Sequence, residues 1–189
     1  MTGNARALLP LVLLSALLAA CGADKPDKEA GTAETAAGLD AAARGWGVAP
    51  DLVYVTEVSG FTVFPASVGV YEDDMFVAAY RSDKARFGLF VDRDTLTAEN
   101  CTEQPLGEVT DEQVTCERDG EAWYRTAGAS QEYAVPRDGV VVRLIADVDK
   151  VDRAVLRKAA EAVHRPDDAE LAALLSDSAG TDARLSLTS

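Results

Sequence analysis

The side chains in this chain that could do chemistry are few and scattered. There is one histidine, His164, so a multi-histidine metal site is ruled out. No Gly-x-Ser-x-Gly elbow supports a serine–histidine–acid relay. At the end of a helical stretch, His164 reads as a surface cap whose charged form the helix dipole favours. Asp92 and Asp94 flank Arg93 at the end of the apolar run FGLFV. Two carboxylates in one cleft could act as acid and base if their environments split their pKa values. As a calcium loop the segment fails, because the third acidic ligand, the glycine and the closing glutamate are out of register. Glu72-Asp73-Asp74 places like charges in a row, which suits a hairpin tip in water. Trp123, Tyr124 and Tyr133 could form a contact surface, although aromatics on strands more often pair across the sheet. Asn100-Cys101-Thr102 has the form of a glycosylation sequon. No phosphate loop or dinucleotide fingerprint occurs. The residues assign no catalytic, cofactor-binding or metal role.

The clearest chemistry lies at Cys21. Arg6 is followed by an apolar run, Ala7 to Ala20, shorter than the roughly 20 residues a spanning helix needs. Its length and flanks are those of an export signal. Leu18-Ala19-Ala20-Cys21 resembles the lipobox of bacterial lipoproteins. That resemblance implies diacylglyceryl transfer to the Cys21 sulfur, cleavage before it and acylation, as by palmitate, of the new amino group. Residues 1–20 are then the signal peptide, and the protein sits at the extracytoplasmic face of the cell membrane, held by lipid on Cys21. In that oxidising compartment Cys101 and Cys116 make an even pair, most simply a disulfide. They lack the CxxC spacing of a redox or metal site.

Phe90–Leu96 is similar to the nucleophile motif of haloacid-dehalogenase-type phosphatases in its D-x-D pair. It departs from that motif at Leu96 and lacks the crossover helix and parallel sheet the family needs. A charged strand end is the plainer reading.

Composition narrows the partners. Eighteen Lys+Arg against 32 Asp+Glu leave a net charge of −14, which argues against nucleic acid or anionic lipid surfaces. Residues 21–45 are mostly Ala, Gly and charge, too poor in large apolar side chains to fold alone. They read as a flexible tether, with a helical turn or two at Leu39–Ala43. Residues 46–176 form the globular domain and 177–189 a disordered tail.

Within the domain, β-branched and aromatic runs alternate with polar turns. Strands are expected at LVYVTEV (Leu52–Val58), FTVF (Phe61–Phe64), SVGVY (Ser67–Tyr71), MFVAAYR (Met75–Arg81) and FGLFV (Phe87–Val91). The pairs Asp119-Gly120 and Asp138-Gly139 mark two further hairpins. In the last strand Val140, Val142, Leu144 and Ala146 share an apolar face, opposed by Val141, Arg143 and Ile145. The period then shifts to helical: Val151, Val155, Leu156, Ala159, Ala160 and Val163 form one arc. Asp167 and Glu170 frame a capping box before Leu171, Leu174 and Leu175. The expected fold is α+β, an antiparallel β-meander of about six to eight strands with C-terminal helices on one face.

Tyr54–Phe61, Ser67–Tyr71 and the ending VDRAVLRKAAEAVHRPDDAELAALL resemble a family of actinobacterial membrane lipoproteins with a domain of unknown function. The late strand and following helix are also similar to β-meander-plus-helix domains of envelope-sensing and lipoprotein-carrier proteins. These resemblances imply no activity and carry no site. The expected function is a lipid-anchored, non-enzymatic binding module for an envelope protein or a small apolar ligand. The alternatives are a sensor accessory or lipid carrier with an apolar cavity between sheet and helix, and an enzyme with a carboxylate-only site.

Overall fold

The structure is a computed structural model. It describes residues 28–175 other than 73, 108, 110 and 111, with side chains from residue 36 onward. The expected signal peptide, Cys21 and the expected tail therefore lie outside the described residues.

Seven strands form one antiparallel sheet: β1 (Thr62–Tyr71), β2 (Met75–Arg81), β3 (Arg86–Asp92), β4 (Thr115–Asp119), β5 (Ala122–Ala127), β6 (Ser130–Arg137) and β7 (Val140–Asp147). Their spatial order is β1-β2-β3-β7-β6-β5-β4. The chain is thus two meanders rather than one continuous meander. After β3 the connection 93–114 crosses to the far edge, and β4 to β7 step back until β7 pairs with β3. Helices α1 (Lys28–Trp46), α2 (Arg153–Glu161) and α3 (Asp168–Leu175) complete the α+β fold.

The period of two assigns the faces. Phe76, Ala78 and Tyr80 of β2, Phe87, Leu89 and Val91 of β3, and Val140, Val142, Leu144 and Ala146 of β7 belong to one core. The helices supply its other side through Leu156, Ala159, Ala160, Leu171 and Leu174. Removing this apolar surface from water drives the layering. The capping box of α3 forms as the sequence indicates. Glu170 N–H donates to Asp167 Oδ1 and Asp167 N–H donates to Glu170 Oε2, each at 2.9 Å.

Three expectations are corrected. The segment 21–45 is not a tether throughout, because α1 runs to Trp46 and buries Leu39, Ala42 and Ala43 in the core. The spacing of these residues puts them on one helical face, and the small alanines allow close approach. Trp46 packs its ring 5.9 Å from that of Phe76. Leu52–Val58 is not a sheet strand. Pro50–Leu52 is a 3₁₀ turn, and Val55 instead exchanges backbone hydrogen bonds with His164 (2.9 and 3.0 Å). Thr56 N–H then donates to the Tyr80 hydroxyl at 3.1 Å, so this apolar run is buried across the end of the helix layer. FTVF and SVGVY, finally, are one strand, β1, which passes through Pro65 with a register shift between Phe64 and Gly69. β1 is an edge strand, where the missing proline donor is tolerated. Ser67 patches the irregularity: its hydroxyl donates to Phe64 O (2.6 Å) and accepts from Ala79 N–H (2.7 Å).

The two Asp-Gly pairs behave differently. Asp138 and Gly139 form a two-residue loop, with φ of 46° and 84°, as a type I′ turn requires. At the other hairpin Asp119 pairs with Ala122, so Gly120 (φ 65°) and Glu121 form the loop.

Candidate functional site

The site lies on the sheet face against which none of the described helices packs. Strand alternation sends Val141, Arg143 and Ile145 of β7 to this side, with Glu132 and Ala134 of β6 and Trp123, Arg125 and Ala127 of β5. Over β4 to β7 the face is roofed by the connection 93–114. Two small apolar clusters fasten it: Leu96 and Cys101 against Ala134 and Val141, and Leu106 and Val114 against Ala127. The disulfide Cys101–Cys116 ties the connection to β4 across a Cα–Cα distance of 6.1 Å. Asn100, the nominal sequon residue, is engaged inside the connection: its Nδ2 donates to Thr95 O and its Oδ1 accepts from Thr97 N–H, both at 2.7 Å.

A buried polar network completes the fastening. Arg125 is fully buried and donates from Nε to Cys101 O (3.0 Å), and from its terminal nitrogens to Pro105 O (3.3 Å), Gln104 O and Glu132 Oε1 (2.9 Å). The same Glu132 oxygen accepts from Arg143 at 3.1 Å, while Glu132 Oε2 has no hydrogen-bond partner. Arg143 reaches outward from there. Its Nε donates to Asp92 (2.8 Å) and one terminal nitrogen donates to both Asp94 and Gln104 (3.1 Å each). Burial opposes the Arg143 charge, but Glu132, Asp92 and Asp94 outweigh that cost and raise its pKa.

The two aspartates singled out in the sequence therefore do converge, and a guanidinium stands between them. Asp92 also accepts from the Asp94 N–H (2.9 Å), and Asp94 from the Thr95 N–H (2.7 Å). β3 pairs antiparallel with both neighbours, which the phosphatase-like reading does not allow. The carboxylates hold Arg143 and the connection in place. Sequence reading missed Arg125 and Glu132 as partners, although charged residues at inward positions of apolar strands (WYRTA, QEYAV, VVVRLIA) were a visible signal.

Over β1 to β3 no described segment roofs the same face, and a groove of about 860 Å³ opens between there and the edge of β7. Its floor is Met75, Phe90 and Ile145. One wall is Tyr71 and Glu72, and the other is Gln104 to Gly107 with Val109. Asp92, Asp94 and Arg143 close its polar end, and Ser130 lies at its margin. Gly88 matters to the floor: a Cβ there would stand 2.5 Å from Phe90 Cε2, so the phenyl ring lies over the bare backbone. Glu72 takes φ 53° in the β1–β2 turn, in keeping with a hairpin tip. Asp73 lies outside the described residues.

On the helix side core side chains pack between the layers, and a cleft of about 650 Å³ opens at the edge. Val55, Phe61, Val63, Tyr80, Glu170 and Leu174 are among its lining residues. Beside it, His164 bonds through Nδ1 to Ala162 O (2.7 Å) and through Nε2 to Glu170 (2.8 and 2.9 Å). Both acceptors lack protons, so the geometry suits the imidazolium, which donates from both nitrogens. Burial works against that charge, and the bonds to Ala162 and Glu170 overcome it, raising the His164 pKa. His164 thus clamps the end of α2 to α3 while its backbone holds Val55.

The remaining aromatics pack. Tyr124 and Tyr133 meet at 5.0 Å between centroids, with the Arg153 guanidinium 3.8 Å above Tyr124. Trp123 lies under Arg118 and against the disulfide cluster. Among the described residues no group of three His, Cys, Asp or Glu side chains could hold a metal ion. No helix among them is long and apolar enough to cross a membrane.

No protein-family model and no curated protein matches this chain. A solved structure, the complex of MucA and MucB from Pseudomonas aeruginosa, is similar at 16% identity with a TM-score of 0.31. The match covers 59% of this chain and 34% of that one.

Proposed function

We propose that this protein is a lipid-anchored, extracytoplasmic binding module whose binding site is the groove on the helix-free sheet face. The observation that carries the reading is the half-roofed face. The connection 93–114 is bolted over β4 to β6 and part of β7 and stops short of β2 and β3, so that Met75 and Phe90, with Ile145 of β7 at the edge of the roof, form an apolar floor. Pockets of several hundred Å³ with an apolar lining and a few fixed polar groups are where ligands bind. Binding is favoured over catalysis because Asp92 and Asp94 are occupied by Arg143. The anchor rests on the lipobox-like Leu18–Cys21 and would hold the module outside the membrane, where an envelope protein is the partner within reach.

Two experiments test this. Cys21→Ala should abolish incorporation of labelled palmitate and release the protein or leave an uncleaved precursor; unchanged labelling overturns the anchor. A photo-crosslinking amino acid at Tyr71 in intact cells should give a discrete adduct that the same group at Glu57, on the edge cleft, does not. Identical adducts from both positions, or none from Tyr71, would remove the groove as the site.

A second reading, carriage of a small apolar ligand, is favoured by the apolar lining of the edge cleft. It requires lipid to copurify with the protein in native mass spectrometry, and preparations from several detergents that all lack it would end that reading.

A further inference from the structure

We infer that the groove receives a basic segment of a partner protein, anchored by apolar side chains and flanked by lysine or arginine. The inference rests on the groove being the binding site and adds the chemistry of the occupant. The floor asks for apolar side chains, since Met75, Phe90 and Ile145 offer no fixed donor or acceptor. The sign of the charge at the polar end decides the rest. Glu72 is exposed, the Asp94 side chain is 49% exposed and Asp92 16%, whereas the Arg143 side chain between them is 10% exposed. Four hydrogen bonds already occupy the Arg143 guanidinium, directed at Glu132, Asp92, Asp94 and Gln104. An incoming anion would find four of the five guanidinium N–H groups engaged and meet the carboxylates first. An incoming ammonium or guanidinium would meet carboxylate oxygens that retain accepting capacity.

The long-range field points the same way. At a net charge of −14 the protein attracts basic partners and repels anionic ones, which sets encounter rates as well as specificity. It also disfavours two other occupants: a second copy of this chain carries the same charge, and an anionic lipid surface would bring phosphates against Glu72 and Asp94.

The test uses the full-length protein in phosphatidylcholine nanodiscs and fluorescent peptides of one alternating leucine–phenylalanine centre, flanked by lysines, glutamates or serines. The lysine peptide should bind about tenfold or more tighter than the glutamate peptide, a gap of about 1.4 kcal/mol or more. High salt should close that gap as screening sets in. Asp94→Asn and Glu72→Gln should narrow it, and Tyr71→Asp should weaken all three peptides. Should Tyr71→Asp prove unfolded by circular dichroism, Tyr71→Ser takes its place. Glu57→Gln, on the edge cleft, should change nothing. Equal binding of the three peptides, all weakened by Tyr71→Asp, overturns the basic partner while leaving the groove as the site. Peptide binding unaffected at Tyr71 overturns both. Sedimentation with phosphatidylglycerol vesicles that depends on Tyr71 overturns the inference in favour of a membrane surface.

Discussion

Replacing Glu132 by glutamine should be among the most destabilising isosteric changes in this domain. The Glu132 side chain is fully buried, and a single oxygen, Oε1, takes a hydrogen bond from each of two arginines, at 2.9 and 3.1 Å. The two arginines depend on it unequally. Arg143 retains Asp92 and Asp94, whereas the other acceptors of Arg125 are the backbone carbonyls of Cys101, Gln104 and Pro105. Glu132→Gln therefore leaves a fully buried guanidinium with no counter-charge. Removing one partner of a buried ion pair typically costs about 3–5 kcal/mol, a large share of the roughly 5–15 kcal/mol that stabilises an ordinary domain. Asp94→Asn is the internal control. That side chain is half-exposed and Arg143 keeps two other carboxylates, so its loss should fall in the surface range, below about 1 kcal/mol. Urea unfolding followed by tryptophan fluorescence measures both, with Trp123 on the roofed face and Trp46 in the helix layer. Amide exchange in the connection 93–114 should rise in Glu132→Gln before exchange in β2 does, because Arg125 holds that connection. A cost for Glu132→Gln no larger than that for Asp94→Asn would refute the reasoning: the network would then be incidental to the roof, and the groove wall would owe its position to the disulfide and apolar clusters alone.

Other outcomes follow from the same geometry. Cys101→Ser with Cys116→Ser should cost about 3 kcal/mol, the chain-entropy value for a loop of this kind, in chemical denaturation of oxidised against variant protein; the separation is 15 residues. The His164–Glu170 contact should make stability pH-dependent in one direction. The folded pKa of His164 is raised, so its contribution is full below the ordinary unfolded value of about 6.5 and fades as pH climbs through the folded value. NMR titration of the single imidazole should show the raised midpoint, and Glu170→Gln should bring it down. Gly88→Ala should separate stability from binding: the new Cβ displaces the Phe90 ring at a cost of about 1–3 kcal/mol, yet it reshapes the groove floor. Calorimetry should register a small stability loss beside a large loss of peptide affinity.

The sheet, the hairpins and the two C-terminal helices were legible because each is written in a local period that its own burial enforces. β7 shows this well: Val140, Val142, Leu144 and Ala146 alternate, and they form the floor of the helix-side core. Order within the sheet was not legible, because nothing in the connection 93–114 states that it carries the chain to the opposite edge. α1 was obscured for a compositional reason. Its buried face is Leu39, Ala42 and Ala43, and alanine marks a helix–helix contact and a solvated spacer equally well. Leu52–Val58 misled in the reverse sense, since β-branched residues buried against the end of α2 look no different in sequence from residues in a ladder. At the site, Asp92 and Asp94 were visible as a pair, but their meaning depended on Arg143, about fifty residues away. Long-range ion pairing leaves no periodic trace.

The site follows from how the two faces of the sheet are closed. On the helix side, apolar alternation alone suffices, and three helices fill the layer. On the other side, β5, β6 and β7 carry Arg125, Glu132 and Arg143 at inward positions, where apolar residues of similar size would be as stable or more so. Those charges earn their place by direction. Arg125 and Arg143 between them bond to Cys101, Gln104, Pro105, Asp92 and Asp94, which fixes where the connection 93–114 lies on the sheet and where it ends. Apolar contacts press that connection against the sheet and the disulfide pins it at Cys101; the ion pairs and carbonyl bonds add direction, holding Asp94, Gln104 and Pro105 beside Met75 and Phe90 rather than over them. A connection free to slide would bury the groove floor itself. The ionic bolts, together with the disulfide, thus keep Met75 and Phe90 bare, and the open face is maintained largely by the least hydrophobic part of the core.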